Sequence, residues 1–306
     1  MKAPRNGSFP LVGPAFSRRG FLRVAGTGIV ATYLTDVLAP APLQASVSAP
    51  ALRRTANGCV VIFLSGGPSQ IDTWDLKEGP WTPQQLTPES YGGIRFPRGL
   101  MPRTAEQLNK ITIVRSAQAW AAVHALAQAW MQIARNPASR TGAIAPHLGA
   151  VVALEAQLSR RPGDILPGFV ELTTGSVPCV VPDAGYLPGE YGPFSISAAP
   201  SGLAEMVHPD GNERFADRMK VLSLIGANGA TDAFGRRGSD MEAFFARARE
   251  LTNSTQVNAL FAIASEAHDR YGRSEFGDAL LIARNLVAAK KGTRLVQVTM
   301  SDWDHH

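Results

Sequence analysis

Six consecutive apolar residues, Cys59-Val60-Val61-Ile62-Phe63-Leu64, run without a polar break into Ser65-Gly66-Gly67-Pro68-Ser69. A β-branched and aromatic run of that length reads as one strand with both faces covered, the habit of strands in parallel sheets. The strand has to stop at the glycines, because Pro68 lacks the N–H that a ladder needs. Two glycines there let backbone approach a ligand closely. Asp72 and Asp75 follow at once, flanking Trp74. In an open α/β sheet, ligands sit at the carboxyl ends of the strands. Gly66, Gly67 and Ser69 are therefore candidate ligand-contacting positions, and the acids suit a divalent cation or a polar substrate. The competing reading is an ordinary strand-to-helix turn with an aspartate as helix cap.

The other end of the chain has the same character. Arg294-Leu295-Val296-Gln297-Val298-Thr299-Met300 alternates like a strand and runs into Ser301-Asp302-Trp303-Asp304-His305-His306. A carboxylate and two imidazoles after a strand make a good donor set for zinc, manganese or iron. The competing reading is a chance histidine pair at a chain end. No element follows to cover this strand, so the chain is expected to be a C-terminally truncated piece, with further ligands beyond His306.

Charge excludes one class of function. The chain of 306 residues carries a formal net charge of +5 and a pI near 9.5. Five of its basic residues (Lys2, Arg5, Arg18, Arg19 and Arg23) precede residue 50 with only Asp36 to oppose them, which leaves 25 basic and 24 acidic side chains in the body. A nearly neutral body without a basic, aromatic-rich patch gives no case for nucleic acid. Residues 1–49 read as an export leader instead. Ser17-Arg18-Arg19-Gly20-Phe21-Leu22-Arg23 has a twin-arginine pattern, Val24 to Leu38 is weakly apolar, and small residues offer cleavage sites at Ala39-Pro40-Ala41 or near Ala49. The competing reading is a basic N-terminal arm. The expected location is periplasmic or secreted, with no membrane span once the leader is removed.

Between the two ends, Glu78 to Met101 reads as a long loop and Ala105 to Lys110 as a short helix. Ile111 to Val114 reads as a strand, and Ala117 to Ala134 as a helix with His124 near its middle. A helix from Pro146 to Leu158 follows, with His147 in its first turn, solvent-facing or capping. Phe169 to Leu172 and Cys179 to Val181 read as strands, and Pro182 to Pro200 as a turn-dense insertion. The remainder is helical up to Ala289. Cys59 and Cys179 are expected to be small core residues, a disulfide between them being the alternative.

Taken together, these motifs resemble the secreted bacterial family called domain of unknown function 1501, related to sulfatases and alkaline phosphatases. The matching residues are the leader, Phe63 to Asp75, Val114-Arg115-Ser116 with His124, Pro146 to Val152, Arg270-Tyr271-Gly272, Phe276-Gly277 with Leu281 and Ala283-Arg284, and Trp303-Asp304-His305-His306. The resemblance covers residues 50–306, taken as one domain. It implies an alkaline-phosphatase-like α/β fold, a mixed and mostly parallel sheet between helices, incomplete at the C-terminus. It also implies one or two divalent metals (Zn, Mn or Ca), held by Asp72, Asp304 and His306. Ser116 and His124 become the catalytic candidates, with Ser69 a second hydroxyl, and the substrate a small-molecule or polysaccharide ester of sulfate or phosphate.

Several departures bear on that inference. His305 stands where the family has Thr, and Ala125 where a serine would be a nucleophile. Thr141-Gly142 lies out of register with the family's helix end, and its later Gly-Glu-Phe-Gly-Arg and Gly-Arg-Asp-His motifs are absent. A non-catalytic exported protein that binds a glycan or partner on the same fold is the alternative, as is an inactive fragment.

Overall fold

The computed structural model describes residues 55–118, 121–175, 180–197, 210–227 and 254–304, with isolated positions between 235 and 251; of Asp304 it describes the backbone alone. The chain divides at Thr55/Ala56. The leader and Cys179 lie outside the described residues.

The elements run β1 (Cys59–Gly67), β2 (Pro88–Tyr91), β3 (Ile94–Pro97), α1 (Pro102–Ala105), α2 (His124–Ile133), α3 (Leu148–Gln157), β4 (Phe169–Thr174), β5 (Phe194–Ser197), α4 (Gly211–Ala227), α5 (Thr255–Phe261), α6 (His268–Tyr271), α7 (Glu275–Ala289) and β6 (Leu295–Asp304). Four strands form one sheet in the order β1-β6-β4-β5, and all three pairings are parallel. β2 and β3 form a separate antiparallel hairpin. The fold is α/β, with a parallel sheet flanked by helices.

Alternation along β6 sorts its side chains between two layers. Val296 and Val298, with Val170 and Leu172 of β4, enter the main core, where Ala279, Ile282, Ala283 and Leu286 of α7 meet Val257 and Phe261 of α5. Leu295 and Phe169 point the other way, onto Ala153 of α3, with Val61 of β1 alongside. Two local signals set the helix starts on the first layer. Ser274 Oγ accepts the Gly277 N–H (3.1 Å) to cap α7, and Ser254 Oγ accepts the Val257 N–H (3.3 Å) to cap α5.

Several expectations need correction. β1 is not covered on both faces: among the described residues it is the sheet's edge strand, and Val60 and Ile62 are 39% and 50% exposed. Cys59 is likewise exposed and free. The segment from Glu78 to Met101 is not loop throughout, for it carries the β2–β3 hairpin. Gly92 (φ 57°) and Gly93 (φ 85°) form its tip, both in the left-handed region that the tight hairpin turn requires. Ile111 to Val114 is irregular rather than a strand; Ile111 and Ile113 pack against Phe96, Ala105 and Leu108, with no ladder partner among the described residues. α2 starts at His124, so that histidine opens the helix instead of occupying its middle. Val180 and Val181 are not strand, whereas the insertion after them contributes β5 to the sheet.

Candidate functional site

The site is built from the register of two strands that are far apart in sequence. β1 and β6 run parallel and end together, with Gly66 opposite Trp303 and Gly67 opposite Asp304. Between Leu64 and Gly66 the register shifts, two steps along β1 matching three along β6 (Met300 to Trp303), and the pairing then resumes. Gly66 (φ 127°) and Gly67 (φ 145°) adopt backbone that L side chains rarely tolerate, which explains the glycine pair. The Gly-Gly-Pro-Ser turn and the Trp303-Asp304 end of β6 therefore share the carboxyl edge of the sheet, where ligands bind in such folds.

Just past the turn, a single 3₁₀ turn spans Gln70–Asp72. Ser69 Oγ donates to Asp72 Oδ2 at 2.6 Å, and Thr73 Oγ1 donates to the Ser69 carbonyl at 2.6 Å. These two bonds hold the Asp72 carboxylate in a fixed, half-buried pose. Its other oxygen meets no donor among the described residues. Asp75 has a different role. Lys77 Nζ (3.0 Å), Gln70 Nε2 (3.2 Å) and Arg115 Nε (3.6 Å) converge on its carboxylate. The Lys77 hydrogen bond, with Gln70 and Arg115 in support, holds its pKa below the usual carboxylate range against the opposing effect of desolvation. Asp75 is thus an anchor. Through Arg115 it ties the loop after β1 to the segment carrying exposed Ser116, and Trp74 packs edge-on against Phe96 of the hairpin at 5.8 Å.

Of the predicted site residues, Gly66, Gly67, Ser69 and Asp72 form one continuous turn, with the Asp304 backbone beside it. Ser116 lies one residue from the Arg115 tether, and half-buried His124 opens α2. The Asp304 side chain and His306 lie outside the described residues. Among the described residues, no three His, Cys, Asp or Glu side chains gather as a metal site. A carboxylate with one oxygen held by Ser69 and the other open fits a hard divalent cation as a single ligand.

A buried polar layer next to this edge was not foreseen. His147, expected to be solvent-facing or capping, caps α3 from a buried position: its Nδ1 accepts the Gly149 N–H at 2.8 Å. That bond fixes the tautomer, so Nε2 carries the proton and donates to Gln132 Oε1 at 3.0 Å. Gln132 Oε1 also accepts from Gln297 Nε2 (3.1 Å), which reaches Thr299 Oγ1 (3.2 Å), while Gln132 Nε2 donates to the Gln128 carbonyl. The His147 ring stacks on Phe169, with centroids 5.0 Å apart and planes 5° from parallel. Burial pushes its pKa down to about 4, and the hydrogen bond within the amide cluster opposes this only in part. Glu171, opposite Gln297 in the sheet, accepts from Ser195 Oγ at 2.9 Å, but its Oε1 is buried without a partner among the described residues. Burial raises its pKa, the Ser195 bond opposing. The sequence signal for this layer was polar residues set into apolar elements: Gln128 and Gln132 one turn apart on an Ala-rich helix, and Gln297 mid-strand.

Residues 56–306 match the model of the family described as protein of unknown function, DUF1501. The chain belongs to that family. No curated protein and no solved structure matches it. No helix among the described residues of this DUF1501 member is long and apolar enough to cross a membrane.

Proposed function

We propose that this DUF1501 chain is an exported, metal-dependent hydrolase of sulfate or phosphate esters, polysaccharide esters included, with its site at the carboxyl edge of the sheet. The observation that supports this reading is the pairing of Gly67 with Asp304. It brings the glycine turn, five residues before Asp72 in sequence, to the strand end that leads into His305 and His306.

In this reading Asp72, Asp304 and His306 hold the cation. When bound, the metal supplies charge for the ester oxygens and lowers the pKa of an attacking water. Ser69 orients Asp72 through its 2.6 Å hydrogen bond. Gly66 and Gly67, without side chains, leave backbone free to approach the substrate head group. The Asp75 cluster keeps the loop from shifting, and Ser116 on the tethered segment is the candidate nucleophile, with His124 as its proton carrier.

The test is hydrolysis of p-nitrophenyl phosphate and p-nitrophenyl sulfate by the chain loaded with zinc, manganese or calcium, with metal content measured in parallel. Asp72→Asn is expected to lower both bound metal and rate by at least tenfold. Retention of none of the three metals by the wild-type chain would refute the reading and leave a glycan- or partner-binding role. The leader carries the export part of the proposal. With Arg18→Lys and Arg19→Lys together, the chain should remain in the cytoplasm of a bacterial host, and undiminished export of that variant would refute it.

A further inference from the structure

On the opposite edge of the sheet, at the amino ends of β1 and β6, a cleft of about 480 Å³ opens against the end of α3. A smaller cavity of about 120 Å³ shares its Arg161 and Arg294 wall and adds Lys290. The larger cleft is in the size range of small-molecule sites, roughly 300–1,000 Å³. Its floor includes Val152 and Ala156, and its rim carries the two arginines.

The polar groups are arranged unevenly. Arg294 is positioned by its own Nη1, which donates to the Asn57 carbonyl at 3.1 Å. That leaves its other donors for the cleft. Arg161 is exposed, and its guanidinium meets no carboxylate or acceptor among the described residues. Its backbone N–H takes up the Asp164 carboxylate at 3.0 Å, so that acid is already engaged in the turn. Glu155 is the other carboxylate in the lining. Two guanidinium forks over an apolar floor match a planar or tetrahedral anion attached to a hydrocarbon.

We propose that this amino-edge cleft is a second ligand site, taking an amphipathic organic anion: a carboxylate, phosphate or sulfate head on Arg161 and Arg294, and a short apolar tail on Val152 and Ala156. A rival reading is that the cations serve only to complement the C-terminal dipoles of α3 and α7, which end here. That reading requires charge but no concave, apolar-floored wall, and it predicts no ligand.

The experiment uses the full chain with Cys179→Ser, so that exposed Cys59 on the cleft wall is the reporting thiol. Hexylphosphonate, which has no ester bond to cleave, is titrated by calorimetry against methylphosphonate, and Cys59 alkylation by a neutral reagent is followed alongside. Saturable hexylphosphonate binding is expected, at least tenfold tighter than methylphosphonate, with alkylation slowed at least threefold. Arg161→Gln with Arg294→Gln should weaken binding at least tenfold while the circular dichroism spectrum is kept. Asp72→Asn should leave binding unchanged, which separates this site from the proposed hydrolase site. Absent saturable binding at millimolar ligand, equal affinity in the double variant, or binding without Cys59 protection would each overturn the proposal.

Discussion

Acid should unlock α3 through His147. In the fold the ring stays neutral down to about pH 4, whereas in the unfolded chain it takes up a proton near its ordinary value of 6.5. Between those values the unfolded state binds more protons, so stability falls as pH falls, and the loss is complete below about pH 4. A difference of about 2.5 units at about 1.36 kcal/mol each gives a loss of about 3 kcal/mol from this one group. The geometry supplies the reason: protonating Nδ1 sets a second N–H against the Gly149 N–H that it now accepts. The assay is urea unfolding from pH 7 to pH 4, comparing wild type with His147→Asn, whose side chain can still cap α3 but does not titrate. The variant should be weaker at pH 7 by about 2 kcal/mol, having lost the Phe169 stack and the Gln132 bond. Its pH dependence should be shallower by about 3 kcal/mol, so that the two curves cross in acid and the variant ends about 1 kcal/mol the more stable near pH 4. Parallel curves would refute both the neutral-ring assignment and the cap.

Glu171 should act in the opposite direction. Its folded pKa is raised, so its protonated form supports the fold below the unfolded value of 4.5, and that support is lost as pH rises through the folded pKa. Glu171→Gln should therefore stabilise at pH 8 by about 1–2 kcal/mol and do little in acid, as thermal unfolding would register; destabilisation at pH 8 would contradict it. Gly67→Ala meets no neighbour within 4 Å among the described residues, so its expected cost of about 1–3 kcal/mol comes from backbone strain at φ 145°. A variant as stable as wild type would mean that the turn relaxes freely. Asp75→Asn should release the Lys77 and Arg115 tethers and speed tryptic cleavage after Lys77, and an unchanged cleavage rate would show the loop to be held elsewhere.

How much of this was legible depends on the range of the forces involved. β6, β4, α3 and α7 could be read because their signals are local: alternation, an apolar run, a cap. The Gly92-Gly93 hairpin was equally local and carried its mark in the sequence, but aromatic and proline spacing around it suggested plain loop. Ile111 to Val114 misled because β-branched residues record a half-buried surface, which the contact with Phe96 provides without any ladder. β1 misled for the converse reason, since its apolar run would suit a central strand and yet lies at an edge. At the site, the glycine turn was legible from its own residues, whereas its meeting with the Asp304 strand end, which spans nearly the whole domain, was expected from the family resemblance. No short-range pattern encodes such a register. The His147 layer escaped because one histidine and a few glutamines resemble surface until packing closes over them.

β6 is the latest of the four sheet strands to be synthesised and lies between two that precede it, with β1 on one side and β4 on the other. Until translation has passed Asp304, neither β1 nor the β4–β5 pair has the neighbour that joins them. Closure of such a sheet requires distant segments to find each other late, a slow step that exposes apolar surface in the meantime. Nascent chains arrested upstream of Leu295 should therefore bind holdase chaperones, and release only when the central strand has been completed.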